Sequence, residues 1–94
     1  MRSKITRHFY NDHAHGWLKA PYSDLIELGI QNNITRYSYQ RVNKKGEKFV
    51  YLEEDCDFTT YVNALKEKGI TLNIKEHFCD ERSSIRSYDD YCVA

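Results

Sequence analysis

The stretch from Asp57 to Phe78, DFTTYVNALKEKGITLNIKEHF, predicts a helix followed directly by a strand, and it decides the fold. Apolar residues recur in its first half at positions i, i+3, i+4 and i+7, namely Phe58, Tyr61, Val62 and Leu65. This spacing is typical of an amphipathic helix, which Gly69 ends. Apolar residues alternate with polar ones in the second half, at Ile70, Leu72 and Ile74. The alternation indicates a half-buried strand ending near His77 or Phe78, so a helical layer should pack on a sheet.

A β-hairpin is predicted before this stretch. Residues Ile34 to Val42, ITRYSYQRV, place tyrosines on one face and polar side chains on the other, which is the two-residue period of a strand. Asn43 to Glu47, NKKGE, supplies turn residues, and Lys48 to Leu52, KFVYL, is aromatic and β-branched. The three segments predict two antiparallel strands joined by a turn.

The N-terminal third predicts two further strands and a short helix. Lys4 to Tyr10, KITRHFY, mixes β-branched and aromatic residues, and Trp17 to Lys19 is predicted to form a second, short strand. Pro21 suits the first turn of a helix, which stops at Gly29. The order β-β-α-β-β-α-β predicts an α+β fold, with one mostly antiparallel sheet of about four to five short strands packed with two helices.

The chain length predicts a single domain over 1–94, because a chain of this size accommodates one core. The periodicity stops before the C-terminal end. Residues 79–94 are therefore predicted to form either a mobile tail or an extended arm that docks through Ile85, Tyr88 and Tyr91. A short chain buries a modest fraction of its surface, so a homo-oligomer is also an expectation.

Charge and cysteine content narrow the partners and the setting. Fourteen basic and fourteen acidic side chains give a formal net charge of zero, so the whole chain has no field that attracts nucleic acid or an anionic membrane. A nucleic-acid partner and a membrane partner are therefore not expected. Three cysteines are an odd number, which disfavours a disulfide-stabilised secreted domain. Since the apolar run of a signal peptide is also missing, a cytoplasmic protein is predicted.

The run EEDCD gathers carboxylates ahead of the second predicted helix, at Glu53, Glu54, Asp55 and Asp57. Negative charge is favourable at a helix N-terminus, so Asp55 or Asp57 is predicted to cap this helix. Carboxylate oxygens also suit a divalent cation or a basic partner. The run therefore has two interpretations: the carboxylates cap the helix and are otherwise solvated, or they bind a ligand.

Two pairs of residues suggest a zinc site. His13 and His15 lie two residues apart, and His77 and Cys79 repeat this spacing near the end of the last strand. Imidazole nitrogen and thiolate sulfur are donors that tetrahedral zinc accepts. No cofactor is expected apart from zinc. The alternative is that His13 and His15 are loop residues beside Trp17.

Arginines and aromatic side chains offer two kinds of binding surface. Arg82 and Arg86, in ERSSIRSY, place two guanidinium groups among hydroxyls, which suits a phosphate or a carboxylate ligand. Tryptophan and tyrosine concentrate binding energy at protein interfaces. The chain offers such rings at Trp17, Tyr37, Tyr39, Tyr51 and Tyr88. The alternatives are solvated arginines and ordinary core aromatics.

Four segments, HGWLKAPYSDLIELGI, ITRYSYQR, YLEEDCD and SSIRSYDDY, resemble a group of small proteins encoded by bacteriophages and other mobile elements. The resemblance covers most of residues 13–91. The matching positions are His15, Gly16, Trp17, Pro21, Tyr37, Tyr39, Tyr51, Glu53, Glu54, Asp55, Asp57, His77, Ser84, Arg86 and Tyr88. The resemblance implies an accessory protein that acts stoichiometrically on host machinery, for example by inhibiting a restriction or CRISPR defence system.

Three functions are consistent with these observations. The leading one is a protein that binds and modulates a host protein, as a host-defence inhibitor would. The second is a small metal- or ligand-dependent enzyme that assembles His15, His77, the acidic run and Arg86 around one pocket. The third is a protein that sequesters a nucleotide through Arg82, Arg86 and tyrosine stacking. Binding is favoured over catalysis.

Overall fold

Six strands form one mixed sheet, and two helices cover one of its faces. The computed structural model describes residues 3–93. The elements are β1 (Lys4–Asn11), β2 (Gly16–Pro21), α1 (Tyr22–Leu28), β3 (Tyr39–Val42), β4 (Lys48–Glu53), α2 (Asp57–Glu67), β5 (Thr71–Phe78), a 3-10 helix (Ser84–Ser87) and β6 (Asp89–Asp90). The strands lie in the order β5-β1-β2-β4-β3-β6, and the β1–β5 pair is parallel while the others are antiparallel. The predicted α+β class is confirmed, with slightly more strands than expected.

Successive side chains of the central strands β2 and β4 point alternately to the core under the helices and to the opposite face of the sheet. Their helix-side residues have no exposed surface: Leu18, Ala20, Val50 and Leu52. Burial of a leucine or valine contributes about 1.5–3 kcal/mol to stability, so these positions anchor the sheet under the helices. The residues between them point away from the helices. We call this side, which neither α-helix covers, the open face, and its side chains include Tyr10, Trp17, Lys19, Tyr39, Arg41, Phe49, Tyr51 and His77. Part of it is covered by the C-terminal arm, since Ile85 of the 3-10 helix and Tyr88 pack against Trp17 and Tyr51.

Both helices end at the predicted glycines. Gly69 has φ 69°, in the left-handed region that residues with a Cβ rarely adopt, and Gly29 ends α1 in the same way with φ 70°. After Gly69, the amide of Ile70 donates to the carbonyl of Leu65 at 2.9 Å, which turns the chain back towards the sheet. The longer helix, α2, has 11 residues. Within residues 3–93, no helix is long and apolar enough to span a membrane.

The strand predicted after α2 is confirmed, and it lies at an edge of the sheet. It pairs in parallel with β1, from Lys4 opposite Thr71 to Asn11 opposite Phe78. It is more exposed than the predicted half-buried strand, since Ile74 is 38% exposed and Phe78 57% exposed. The edge position explains this, because β5 has a strand neighbour on one side only within the described chain.

The strand predicted for residues 34–42 is wrong in its first half. β3 begins only at Tyr39, and the residues before it form turns. The cause is Asp57, whose carboxylate accepts the amide of Thr35 at 3.1 Å and the hydroxyls of Thr35 and Ser38. These contacts bind the segment to the start of α2 and keep it out of the strand ladder.

Residues 79–93 form a docked arm, which is one of the two predicted alternatives. Ile85 and Tyr91 are each 5% exposed. The Tyr91 hydroxyl donates to the carbonyl of Gln31 at 2.6 Å, and the backbone amide of Tyr91 donates to the carbonyl of Ser38 at 2.9 Å. The arm therefore closes the β3 side of the sheet, where β6 adds the last strand.

Candidate functional site

A groove of about 410 Å³ lies where β2 and β3 begin and β4 ends. It brings together several predicted binding residues, which are Trp17, Tyr37, Tyr39, Glu53, Glu54 and Asp55. The structure adds His15, Gly16 and Cys56 to its lining. We call the site formed by these residues the acidic groove. Among the described residues, no lysine or arginine lines it, so its carboxylates set the sign of its charge.

Aromatic rings form the floor and the rim of the acidic groove. Trp17 is 3% exposed, and its ring meets Tyr39 edge to face with centroids 6.1 Å apart. Tyr37 is 77% exposed, the highest value among the large apolar side chains described. The ring at the floor is therefore held by packing within the protein, whereas the ring at the rim is open to contact from outside.

Glu53 caps α2 and is therefore engaged within the protein. Its carboxylate accepts the amides of Asp55 at 2.8 Å, Cys56 at 2.7 Å and Asp57 at 2.8 Å. The prediction that Asp55 or Asp57 caps the helix is wrong, because the side chain of Glu53 reaches from the end of β4 over the first turn. Glu54 and Asp55 remain as exposed carboxylates of the acidic groove.

Asp57 lies beneath the acidic groove rather than in its lining. It is 1% exposed, so the structure places this predicted binding residue inside the fold, where it holds other residues of the protein. Its carboxylate binds Thr35 and Ser38, and the Ser38 hydroxyl in turn accepts the amide of Glu53 at 3.0 Å. Through this chain of hydrogen bonds, Asp57 fixes the turn that carries Tyr37 against the end of β4.

Gly16 permits close packing at the start of β2. A Cβ at this position would lie 2.3 Å from Cζ of Phe9 and 3.3 Å from Oε2 of Glu54. The first distance is far below van der Waals contact, so a larger residue would displace the Phe9 ring. The glycine thus sets the spacing between the β1–β2 turn and the carboxylate side of the groove.

The β1–β2 turn holds His15 at the mouth of the acidic groove. The carboxylate of Asp12 accepts the amides of Ala14 and His15, each at 2.9 Å. Nδ1 of His15 lies 4.0 Å from Oε1 of Glu54. A protonated His15 would therefore form an ion pair with the groove.

A bidentate ion pair joins this turn to the C-terminal arm. Arg86 donates to the Asp12 carboxylate through Nε at 2.9 Å and through a terminal nitrogen at 3.0 Å, and the amide of Ser83 donates to it at 3.1 Å. The guanidinium also lies 5.7 Å from the centroid of the Trp17 ring. Arg86, predicted as an anion-binding residue, is thus engaged by Asp12. We call this pair the Asp12 latch.

Asp12 is not among the site residues that the sequence predicts. Asp12 follows Asn11, and such Asn-Asp pairs are typical of turns in which the side chain accepts nearby backbone amides. That signal predicts the bonds to Ala14 and His15. It does not predict Arg86, which lies at the other end of the chain.

Replacing Asp12 with asparagine is expected to destabilise the protein at neutral pH and to make it less sensitive to acid. The Arg86 guanidinium, followed by the amides of His15, Ser83 and Ala14, holds the pKa of Asp12 well below its usual range. A carboxyl group whose pKa is lowered on folding contributes stability above its unfolded pKa of about 3.9, and this contribution falls as the pH drops below that value. Urea titrations across the pH range check this.

The stability difference between the wild type and Asp12→Asn should be largest near neutral pH and shrink below about pH 4. Asp80→Asn, at an exposed aspartate of the arm, serves as the control and should show little difference at any pH. A difference for Asp12→Asn that stays constant from neutral to acidic pH would contradict the assignment.

The predicted zinc ligands, His13, His15, His77 and Cys79, are not brought together. His77 has Nε2 2.8 Å from Nδ1 of His8 on β1. His15 faces the acidic groove, and His13 packs its ring against Phe78. In the part of the chain that the structure describes, no three His, Cys, Asp or Glu residues are placed to hold a metal ion. The spacing misleads because it puts two side chains on one face only in a strand, whereas residues 13–15 form a turn.

The other predicted site residues lie outside the acidic groove. Tyr51 and Tyr88 pack together on the open face with ring centroids 5.0 Å apart. Burial, with a smaller effect of Tyr88, raises the pKa of Tyr51 to about 12, so its hydroxyl stays neutral at physiological pH. Arg82 is exposed and lines a shallow cavity beside His13 and Asp12. Aromatic residues expected at one interface therefore divide between two surfaces.

The pocket expected for an enzyme does not assemble. His15 lies in the acidic groove, His77 lies on the open face, and Arg86 forms the Asp12 latch. These residues line three different cavities. Histidine and arginine therefore do not share a reaction centre in this arrangement.

Comparisons with protein-family models, with curated proteins and with solved structures find no match for this chain.

Proposed function

We propose that this protein is a stoichiometric binding module that takes a basic segment of a host protein into the acidic groove. The observation that carries the proposal is the placement of Tyr37, exposed at the rim, beside the exposed carboxylates of Glu54 and Asp55. An arginine or lysine side chain can stack on the tyrosine ring and pair with a carboxylate at the same time. The resemblance to small bacteriophage proteins supports a host protein as the source of that segment and inhibition of host defence as the outcome.

Charge complementarity favours a basic occupant over an apolar or acidic one. The lining contains carboxylates and, among the described residues, no lysine or arginine to neutralise them. Glu53 is already saturated by amides of α2, which leaves Glu54 and Asp55 for a ligand. Since both lie at the surface, pairing with them steers association and sets specificity, while the exposed ring of Tyr37 supplies contact area.

Replacement of Tyr37 is expected to weaken partner binding by about tenfold or more, which is typical for loss of an aromatic residue that supplies much of the binding energy of an interface. Tyr37→Ala removes the exposed ring, and the double variant Glu54→Lys and Asp55→Lys reverses the charge of the groove. Glu67→Lys is a matched charge reversal on the exposed end of α2 and should leave binding unchanged. Affinity purification from host cells, followed by titration of the recovered protein, measures all of these forms.

A photo-crosslinking residue at position 37 identifies the segment that contacts the groove. The expected contact is a segment rich in arginine or lysine. A partner retained equally by the wild type and by the groove variants, or a crosslinked segment that is acidic, would show that the acidic groove is not the binding site.

A further inference from the structure

The open face carries a second set of features that the acidic groove does not explain. The rings of His8, Tyr10 and His77, from β1 and β5, form a compact cluster of roughly parallel planes, the ring stack, in which the centroids of His8 and Tyr10 are 6.3 Å apart. The centroid of His77 is 4.9 Å from that of Tyr10, with an interplanar angle of 18°, and 5.0 Å from that of His8, with an angle of 29°. The rings of His8 and Tyr10 are half-buried and that of His77 is exposed. Stacked rings at a sheet surface are a platform on which a further planar group can stack.

Cations lie beside this stack on the same face. Lys19 sits 4.5 Å from the centroid of the Phe49 ring, and Arg41 donates to the hydroxyl of Tyr88 at 2.9 Å. Lys75 is paired in register with His8 on the neighbouring strand. The ion pairs found within residues 3–93 do not include Lys19, Arg41 or Lys75. Their charges are therefore available to an anionic ligand.

A cavity of about 470 Å³ joins the stack to the cations. Its lining includes Tyr10, His77, Lys19, Arg41 and the hydroxyl-bearing Ser83 and Ser84. No carboxylate among the described residues lines this cavity, whereas the acidic groove has carboxylates and no lysine or arginine. The zero net charge of the chain thus hides two surfaces of opposite sign, and it does not argue against an anionic partner at the open face.

We propose that the open face binds single-stranded nucleic acid, with bases stacking on the Tyr10–His77 platform and phosphates pairing with Lys19 and Arg41. Unpaired bases expose flat faces to such rings, while the bases of a duplex are already stacked on one another. Lys19 lies on β2 and Arg41 on β3, and β4 runs between these two strands. At about 4.8 Å per strand the two cations are two strand spacings apart, so they suit successive phosphates of an extended backbone rather than one isolated phosphate. An acidic peptide would pair with the cations but would make no use of the ring platform.

Fluorescence anisotropy at low ionic strength tests the proposal. The probes are labelled single strands of oligothymidine and oligouridine of about 12 nucleotides, a length within the site sizes of such surfaces, and a duplex of equal length. We expect binding to the single strands and much weaker binding to the duplex. The logarithm of affinity should fall with the logarithm of salt with a slope of about −0.7 for each phosphate contacted.

Variants separate the two components of the surface. Tyr10→Ala with His77→Ala should weaken binding by about tenfold or more, and Tyr10→Phe should retain it, because stacking needs the ring and not the hydroxyl. Lys19→Glu with Arg41→Glu should weaken binding and flatten the salt dependence. Lys66→Glu with Lys68→Glu makes the same change of charge at exposed positions near the end of α2 and should have little effect. Circular dichroism confirms that each variant is folded.

Several outcomes would overturn the proposal. Equal affinity for the duplex, equal affinity for thymidine monophosphate, or displacement of the strand by polyglutamate at similar concentration would remove the specificity for unpaired strands. Undetectable binding to the single strands would also overturn the proposal. The same is true if Lys66→Glu with Lys68→Glu loses as much affinity as Lys19→Glu with Arg41→Glu. The groove variants Glu54→Lys and Asp55→Lys leave the open face intact, so this result is independent of the partner-binding test.

Discussion

Replacing Asp57 with alanine is expected to lower the free energy of unfolding by about 3 kcal/mol or more. The carboxylate is 1% exposed and accepts the Thr35 amide, the Thr35 hydroxyl and the Ser38 hydroxyl. Its removal leaves the buried Ser38 hydroxyl and the half-buried amide and hydroxyl of Thr35 without acceptors, and each buried donor that loses its partner costs about 1–3 kcal/mol. A chain of this size has a total stability of roughly 5–14 kcal/mol, so the loss is a large fraction of the whole.

Urea denaturation followed by circular dichroism measures this effect. Asp55→Ala is the matched control, because it removes the same group from an exposed position two residues away and should change stability by less than about 0.5 kcal/mol. The Asp57 variant should also lose partner binding, since the turn that carries Tyr37 is no longer fixed. A stability equal to that of the Asp55 variant would mean that these hydrogen bonds are not formed in solution.

Replacing Asp24 with alanine is expected to cost about 3 kcal/mol, because it leaves both a charge and a hydroxyl without an acceptor. The Asp24 carboxylate accepts two bonds from Arg7, at 3.0 and 2.7 Å, and one from the Tyr61 hydroxyl at 2.6 Å. Burial, and then the hydrogen bond to Asp24, raise the pKa of Tyr61, so its hydroxyl remains a donor at physiological pH. These three residues connect β1, α1 and α2 at the edge of the core.

A double-mutant cycle isolates the ion pair from the rest of the network. Arg7→Met alone should cost less than Asp24→Ala, because the Arg7 side chain is 21% exposed and the Asp24 carboxylate still accepts the Tyr61 hydroxyl without it. With Arg7→Met already present, Asp24→Ala should cost less than it does in the wild type, by about 0.5–3 kcal/mol. Strict additivity of the two losses would show that Arg7 and Asp24 do not interact.

Local periodicity predicts much of this fold, since α2, β4 and both helix-ending glycines occur where the spacing of apolar residues and glycines indicates. It fails where a polar side chain is buried by a partner distant in the sequence. Asp12 binds Arg86 from the other end of the chain, and Asp57 binds a segment that alternates like a strand. From local patterns alone, such aspartates are expected to be turn residues, helix caps or solvated charges, so their distant partners in the sequence cannot be predicted.

The candidate surfaces likewise combine features that the local sequence predicts with features that it does not. The chemistry of the tyrosines and of the acidic run makes them candidate binding residues in the sequence, and the acidic groove unites Tyr37, Glu54 and Asp55. The ring stack of the open face could not be predicted, because His8 and His77 meet only through the parallel pairing of β1 with β5. Which aromatic residue belongs to which surface is decided by strand order, and that information is not local.

The parallel pairing of β1 with β5 also sets the order of events in folding. β1 can pair with β2 through a short turn as soon as both exist, but its other edge has to wait for residues 71–78. Closing so long a loop costs chain entropy before any contact repays it, so docking of β5 is expected to be a late and slow step. During synthesis, β1 therefore presents an unpaired edge until residues 71–78 are available, and this is the interval in which misassociation is most favoured.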